Sequence, residues 1–287
     1  MIWLIFSLLN SFFDSASNAF SKHGAQKINV LSAAWALRFY SLFILFPLAF
    51  LFDSFRPVGA NFWIALFATS SLNAVTSILF VKAIKDSPLS LTLPITTFTP
   101  VFLLITSPII LGEFPNPLGI IGILSVVVGS YVLNLNKRAH GFFEPILAIF
   151  KEKGSRLMLI VAVIWSITSN IDKIVVKSSN PLLASFATTS IVLILLTLVL
   201  WLRRISIWHI LRQSKILAPI GLTGGLSLAF QMTAISMTLV ANVISVKRTS
   251  VLFGTLWGKI YFKEEKIKER FAGAFIMVIG VILIALS

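Results

Sequence analysis

Residues 83–113 read AIKDSPLSLTLPITTFTPVFLLITSPIILGE, and residues 234–264 read AISMTLVANVISVKRTSVLFGTLWGKIYFKE. Laid over one another at an offset of 151, they match Ala83-Ile84 with Ala234-Ile235, Phe102 with Phe253, and Glu113 with Glu264. The same offset carries Gly122 onto Gly273 and Gly129 onto Gly280, with no gap from 83 to 133. Chance likeness between two apolar stretches does not set a glutamate and two glycines alike. The chain is an internal duplication.

The composition says where this duplication lives. The chain has 287 residues, 57% apolar and 12% charged, with a mean hydropathy of +0.96. A soluble domain needs more polar surface than that. There is no cysteine, which removes disulfides and thiolate metal sites. A span needs about 20 mostly apolar residues. Ten such segments occur: 2–21, 33–52, 61–82, 88–111, 117–135, 157–177, 182–202, 216–238, 240–261 and 268–286. The N-terminal MIWLIFSLLNSFF has no basic stretch before it, so it reads as a retained helix rather than a cleaved signal. The domain reading is one repeat over 1–135, a loop over 136–156, and a second repeat over 157–287. The loop has an amphipathic pattern suited to a membrane surface.

The net charge of +14 would suggest nucleic acid in a soluble protein. Here the basic residues fall between apolar segments. Counted together with the ends of the flanking segments, the loops after segments 1, 3, 5, 7 and 9 hold two, two, five, four and five Lys/Arg, whereas the other loops hold Arg56, Lys173 and Lys177. The rich loops are therefore expected in the cytoplasm, with both termini external and the protein in the plasma (inner) membrane. Five spans per repeat is an odd number, so the second copy enters the membrane upside down. The expected fold is an all-α membrane protein of ten transmembrane helices in two inverted five-helix repeats. Secondary transporters are built this way, with the solute site near the midplane.

The paired stretches, their closing Gly positions and SVKRTSVLFG resemble the EamA repeat, the unit of ten-helix transporters in the drug/metabolite transporter superfamily. The resemblance covers nearly the whole chain. It implies export or exchange of small metabolites without ATP, amino acids among them. In the related sugar-phosphate translocators of plastids an adjacent Lys-Arg on the corresponding helix binds phosphate. That likeness points to Lys247 and Arg248 as anion ligands.

Residue by residue, each functional reading has a structural rival. Lys247 and Arg248 sit inside the ninth segment, where one cation costs roughly 3 kcal/mol. They either face a solute cavity, pair with Asp172, or, for Lys247, snorkel outward. Lys247, Ser250, Gly254 and Gly258 share one face if that helix is continuous. In the fourth segment Pro94 and Pro100 interrupt a run containing Thr92, Thr96, Thr97 and Thr99. These threonines either line the break or bond back to their own helix. Thr97 is the repeat equivalent of Arg248. Asn10, Asp14 and Asn18 lie four apart on the first helix; Asp14 either pairs with Arg38 or binds a coupling proton or solute amine. Asn73, Thr76, Ser166, Asn170 and Gln231 complete the polar set. The expected solute-binding residues are Lys247, Arg248, Thr97, Asn18, Asp14, Asn170 and Gln231. Glu113 and Glu264 are expected to cap the helices that follow them, and the paired glycines to allow close helix packing.

No enzyme is expected. His23, His140 and His209 fall in loops, no nucleophile has a nearby base, and no Walker-type loop occurs. No cofactor, metal or nucleic-acid partner is expected. The expected partners are a small-molecule solute and the lipid bilayer, and the protein is expected to work as a monomer. The function expected is export or exchange of a small anionic or zwitterionic metabolite by alternating access. The alternative is a flippase for a lipid-linked or amphipathic substrate.

Overall fold

The computed structural model describes residues 1–24, 29–52, 58–86, 94–134, 143–254 and 271–287. The described residues are mostly helical, with no strand among them. The helices are α1 (Ile2–Gly24), α2 (Val30–Leu51), α3 (Ala60–Asp86), α4 (Thr99–Leu111), α5 (Pro117–Asn134), α6 (Glu144–Lys151), α7 (Lys153–Lys177), α8 (Pro181–Leu202), α9 (Ile207–Leu211), α10 (Ser214–Met237), α11 (Val240–Lys247) and α12 (Phe271–Leu286). A short helical piece at 94–96 precedes α4, and another begins at Ser250 after α11.

Six of these segments are long and apolar enough to cross a membrane: Leu31–Leu51, Ala60–Phe80, Pro94–Leu111, Lys153–Lys177, Pro181–Leu202 and Ser214–Met237. The shorter apolar helices Pro117–Leu133 and Ala272–Leu286 accompany them. The distribution of polarity is inside-out. Ile109 is 78% exposed while Asn10 and Asn170 are 0% exposed. Lipid accepts the apolar exterior, and the small polar side chains are spent between helices. The protein is an all-α membrane protein of ten membrane helices in two repeats, with α6 and α9 as short connecting helices.

The duplication is visible in the helix ends. The offset of 151 maps α2, Val30–Leu51, onto α8, Pro181–Leu202, end for end. Asn29 Oδ1 accepts from the Leu31 N–H at 3.0 Å, and its counterpart Asn180 accepts from Leu182 and Leu183 N–H at 3.1 and 2.9 Å. Each cap satisfies amides that a helix start leaves without an intrahelical partner.

The chain forms two compact units. Unit 1 holds Met1, 78–170 and 238–287; unit 2 holds 2–77 and 171–237. In unit 1, α5 packs along its repeat counterpart α12. A Cβ on Gly122 would lie 2.8 Å from the Gly280 carbonyl oxygen, and one on Gly129 only 2.6 Å from that of Gly273. Rising numbers on one helix meet falling numbers on the other, so the equivalent helices are antiparallel. In unit 2, α2 packs on its counterpart α8 in the same sense. Trp35 Nε1 donates to Thr197 Oγ1 at 2.7 Å, and Phe46 meets Phe186 at 5.6 Å between ring centroids. Equivalent helices running in opposite directions are what an inverted repeat requires.

Several expectations need correction. Segments 4 and 9 are not continuous helices, and the face shared by Lys247, Ser250 and Gly254 does not follow from a single helical phase. Helix α7 starts at Lys153 rather than 157, because Glu144–Lys151 forms a helix of its own. Phe143 just before it, and Leu147 and Phe150 on it, are exposed, spaced four and three apart. Glu113 follows the left-handed Gly112 (φ 68°) that ends α4, where its N–H bonds back to Ser107 O at 3.3 Å. At the start of α5 Asn116 Oδ1 accepts from the Gly119 N–H at 2.8 Å, a cap the sequence reading did not single out. Thr92, His140, Gly258 and Glu264 lie outside the described residues.

Candidate functional site

The fourth membrane helix of each repeat is broken at the same place. In repeat 1 Thr97 N–H donates to Pro94 O at 3.2 Å, Phe98 N–H to Ile95 O at 3.1 Å, and Val101 N–H to Phe98 O at 2.9 Å. In repeat 2 Arg248 N–H donates to Ser245 O at 3.0 Å, Thr249 N–H to Val246 O at 2.9 Å, and Leu252 N–H to Thr249 O at 2.8 Å. The offset of 151 maps each bond onto its counterpart. The three-residue spacing is that of a tight 3₁₀ turn inside a longer helix.

The two breaks have different local causes. Pro100 has no N–H, so the Thr96 carbonyl loses its donor four residues on. The Thr99 hydroxyl donates to Thr96 O instead, at 2.8 Å. Thr97 Oγ1 likewise donates to Pro94 O at 2.6 Å. In repeat 2 the position equivalent to Pro100 is Val251, which has an N–H. That N–H donates to Arg248 O at 3.3 Å, three residues back rather than four. Thr249 Oγ1 donates to Val246 O at 2.7 Å.

Both candidate cations stand at this second break. Residues Val240–Val246 of α11 are all buried, and the helix packs on α4 and α5 within unit 1. Lys247 is its last residue, and Arg248 follows in the right-handed helical region at φ −63° and ψ −16°. Both side chains are half-buried. Lys247 is the eighth residue of α11, about 10 Å from its start at 1.5 Å per residue. A helix C-terminus carries partial negative charge and favours a cation by about 0.3–1 kcal/mol. That recovers part of the roughly 3 kcal/mol that a cation costs at membrane depth.

Two buried asparagines lie in the same unit. Asn170 Oδ1 accepts from Ser107 Oγ at 2.8 Å, and its Nδ2 donates to Thr106 Oγ1 at 3.0 Å and Ser166 O at 2.9 Å. It ties α7 to α4 below the first break. Asn242, on α11, was not singled out from sequence. Its Oδ1 is enclosed and has no hydrogen-bond partner among the described residues. A lone amide in the apolar run VANVIS was the signal available.

The remaining candidates belong to unit 2. Asp14 Oδ2 accepts from Asn18 Nδ2 at 3.1 Å, and Asn18 is exposed. Asn10, expected on the same face, is fully buried and accepts from Ser227 Oγ at 2.8 Å. Gln231 is buried on α10, beside Phe230, which stacks on Phe6 and Phe13. Asp172 is buried and accepts from Thr69 Oγ1 at 2.6 Å, and Asn73 Nδ2 donates to Thr69 Oγ1 at 3.1 Å. A cavity of about 810 Å³ also lies in unit 2, lined by Phe6, Phe52, Lys177, Asn180, Phe230 and Thr233 among others. None of the expected solute ligands lines it. No group of three or more metal-ligating side chains occurs among the described residues.

Comparison with known proteins supplies the family. The model of the EamA-like transporter family matches residues 1–135 and 152–286, two copies set 151 residues apart. A solved structure described as "Crystal structure of protein" is similar over 99% of this chain and 96% of that one, with a TM-score of 0.80 and 14% identity. At that identity the likeness concerns the fold. No curated protein matches the chain significantly.

Proposed function

The chain belongs to the EamA-like transporter family, and from that premise we propose that it exports or exchanges a small anionic or zwitterionic metabolite by alternating access. Lys247 and Arg248 hold the solute's negative group. Thr97 and Asn170 are read as further ligands of the solute. The observation that carries the reading is the matched pair of breaks at 97–98 and 248–249. Interrupted membrane helices in inverted repeats are where secondary transporters bind solutes. At equivalent positions this chain sets a neutral threonine in one repeat and an arginine in the other. One cationic end is what an anion with a single charged group needs.

Arg248 offers a planar fork that fits a carboxylate or phosphate, and Lys247 adds a compact charge on a flexible stem. The α11 terminus offsets only part of the cost of two cations. Water in a cavity, and the bound anion in its turn, offset the remainder. Binding of this kind is moderate, so the solute leaves once the site opens to the other side. The protein is read as lying in the plasma membrane with both termini external, in keeping with the distribution of Lys and Arg.

The test is counterflow in liposomes containing the purified protein. The labelled solutes are amino acids, phosphorylated metabolites and lipid-linked sugars. Exchange of a soluble anion or zwitterion is the expected result. Movement of the lipid-linked sugar alone contradicts the reading.

A further inference from the structure

The cavity of about 810 Å³ in unit 2 is built from groups that the proposed function does not use. It lies at an end of its helices: Lys177 closes α7, Pro181 opens α8, and Leu48 is three residues from the end of α2. Its walls are mostly apolar. Phe6 and Phe230 line it and stack with ring centroids 6.0 Å apart, and Phe52 and Leu226 line it with them. Among the described residues of the lining, Lys177 carries the one charge and none is acidic. The hydroxyl hydrogens of Ser179 and Thr233 are spent on helix carbonyls, at 2.7 Å to Val175 O and 2.8 Å to Ala229 O. Asn180 Oδ1 is spent on the first amides of α8, at 3.1 and 2.9 Å. The Lys177 ammonium, with three hydrogens and a full charge, is the strongest donor that this lining offers.

We infer that this cavity binds a small organic anion with an apolar body, a carboxylate carried on an aromatic or branched aliphatic group. The site is separate from the cations at the second break and goes beyond the proposed function. Its volume falls within the roughly 300–1,000 Å³ of small-molecule sites, which are likewise mostly apolar with a few polar groups that fix orientation. The phenylalanine rings take the body, as aromatic faces and edges do. Lys177 takes the carboxylate. It is exposed at a helix end, so it does not bear the cost of a cation at membrane depth, and water keeps its hold on the anion modest. A solute rich in hydroxyls fits this lining badly, because few groups there replace the water its hydroxyls give up.

The experiment uses the full-length protein, which has no cysteine of its own. Thr233→Cys and, in a second variant, Ser178→Cys each place one thiol in the lining. Ser287→Cys, in unit 1, is the control. Labelling by N-ethylmaleimide is timed in an uncharged detergent and again in liposomes. The probes are phenylpropionate, phenylpropanol, which keeps the body without the charge, and propionate, which keeps the charge without the ring. Phenylpropionate is expected to slow labelling of at least one lining thiol about fivefold at about four times its Kd, since the unliganded fraction falls as 1 + [L]/Kd, and to leave Ser287→Cys unchanged. Half-protection by phenylpropanol is expected at about two- to fivefold higher concentration, as for the loss of an exposed ion pair. Propionate should need at least about tenfold more, as for the loss of a buried ring. Lys177→Gln should raise the phenylpropionate midpoint to that of phenylpropanol and leave phenylpropanol where it was. The inference is overturned by lining thiols that do not label, by labelling that phenylpropionate does not slow, by equal slowing at Ser287→Cys, by equal midpoints for phenylpropionate and either analogue, or by an unchanged midpoint in Lys177→Gln. Protection in detergent that disappears in liposomes also overturns it, because lipid then fills the cavity. Thiol protection is read without transport, so none of these failures bears on the counterflow test of the proposed function.

Discussion

Gly122 lies against Gly280, so close that a Cβ on Gly122 would stand 2.8 Å from the Gly280 carbonyl oxygen and 2.9 Å from the Ile284 nitrogen. Gly129 and Gly273 repeat the contact further along the pair. The obstacle is backbone, which does not step aside as a flexible side chain would. Antiparallel contact between these equivalent helices makes the inversion a matter of four glycines.

Gly129→Ala is therefore expected to destabilise the protein by about 1–3 kcal/mol, the usual range for overpacking a close-packed interface. Thermal unfolding in detergent measures it. Gly59→Ala is the control, since nothing lies within 4 Å of a Cβ there. Equal melting temperatures for the two variants would contradict the packing account.

A second expectation concerns orientation. Asn116 Nδ2 donates to the Ser287 carbonyl at 2.9 Å, so the end of α12 and the start of α5 lie on one membrane face. From the Lys/Arg distribution we propose that this face is external. The chain has no cysteine, so Ser287→Cys and Phe114→Cys are single-site reporters. Both should react with an impermeant maleimide in intact cells. Reaction only after lysis would reverse the orientation, and reaction of one alone would separate the two helix ends.

Thr69→Val should cost about 1.5–3 kcal/mol, the worth of a hydrogen bond to a charged group. The bond removed is the 2.6 Å contact with Asp172. Thr69→Ser keeps the hydroxyl and should recover most of the loss. A neutral Thr69→Val in thermal unfolding would mean that the carboxylate does not depend on this donor.

Pro100→Ala restores an N–H opposite the Thr96 carbonyl, and the first break then has a reason to close. The net gain of one backbone hydrogen bond is about 0.5–1.5 kcal/mol. Melting temperature should rise and liposome transport should fall, because a straightened helix no longer matches its counterpart at 248–249. A variant transporting as fast as the wild type would show that this break is incidental.

How much of this was legible beforehand differs by level. The duplication, the apolar segments and the glycine pairs follow from types and spacing alone, because lipid enforces length and close packing enforces small residues. The break at 97–98 was announced by Pro100, which cannot donate. The break at 248–249 had no such local mark. Val251 has its N–H and neither Arg248 nor Thr249 disfavours helix strongly, so only the repeat relation could carry the first break over to the second. The Asn116 cap of α5 was not singled out either, although an asparagine directly before Pro117 was a signal available.

The central claim is that the cations at the second break hold the solute. Its most direct test is uptake of the identified anion or zwitterion by liposomes containing the double variant Lys247→Ala/Arg248→Ala, set beside its melting temperature. Losing a charged bidentate contact and a second cation should reduce uptake by at least about tenfold, one decade for each 1.4 kcal/mol lost. The melting temperature should stay near that of the wild type, because half-buried cations at a helix end take little packing with them. Arg248→Lys alone should also fall short, since the planar fork is gone. Wild-type uptake by the double variant would contradict the account.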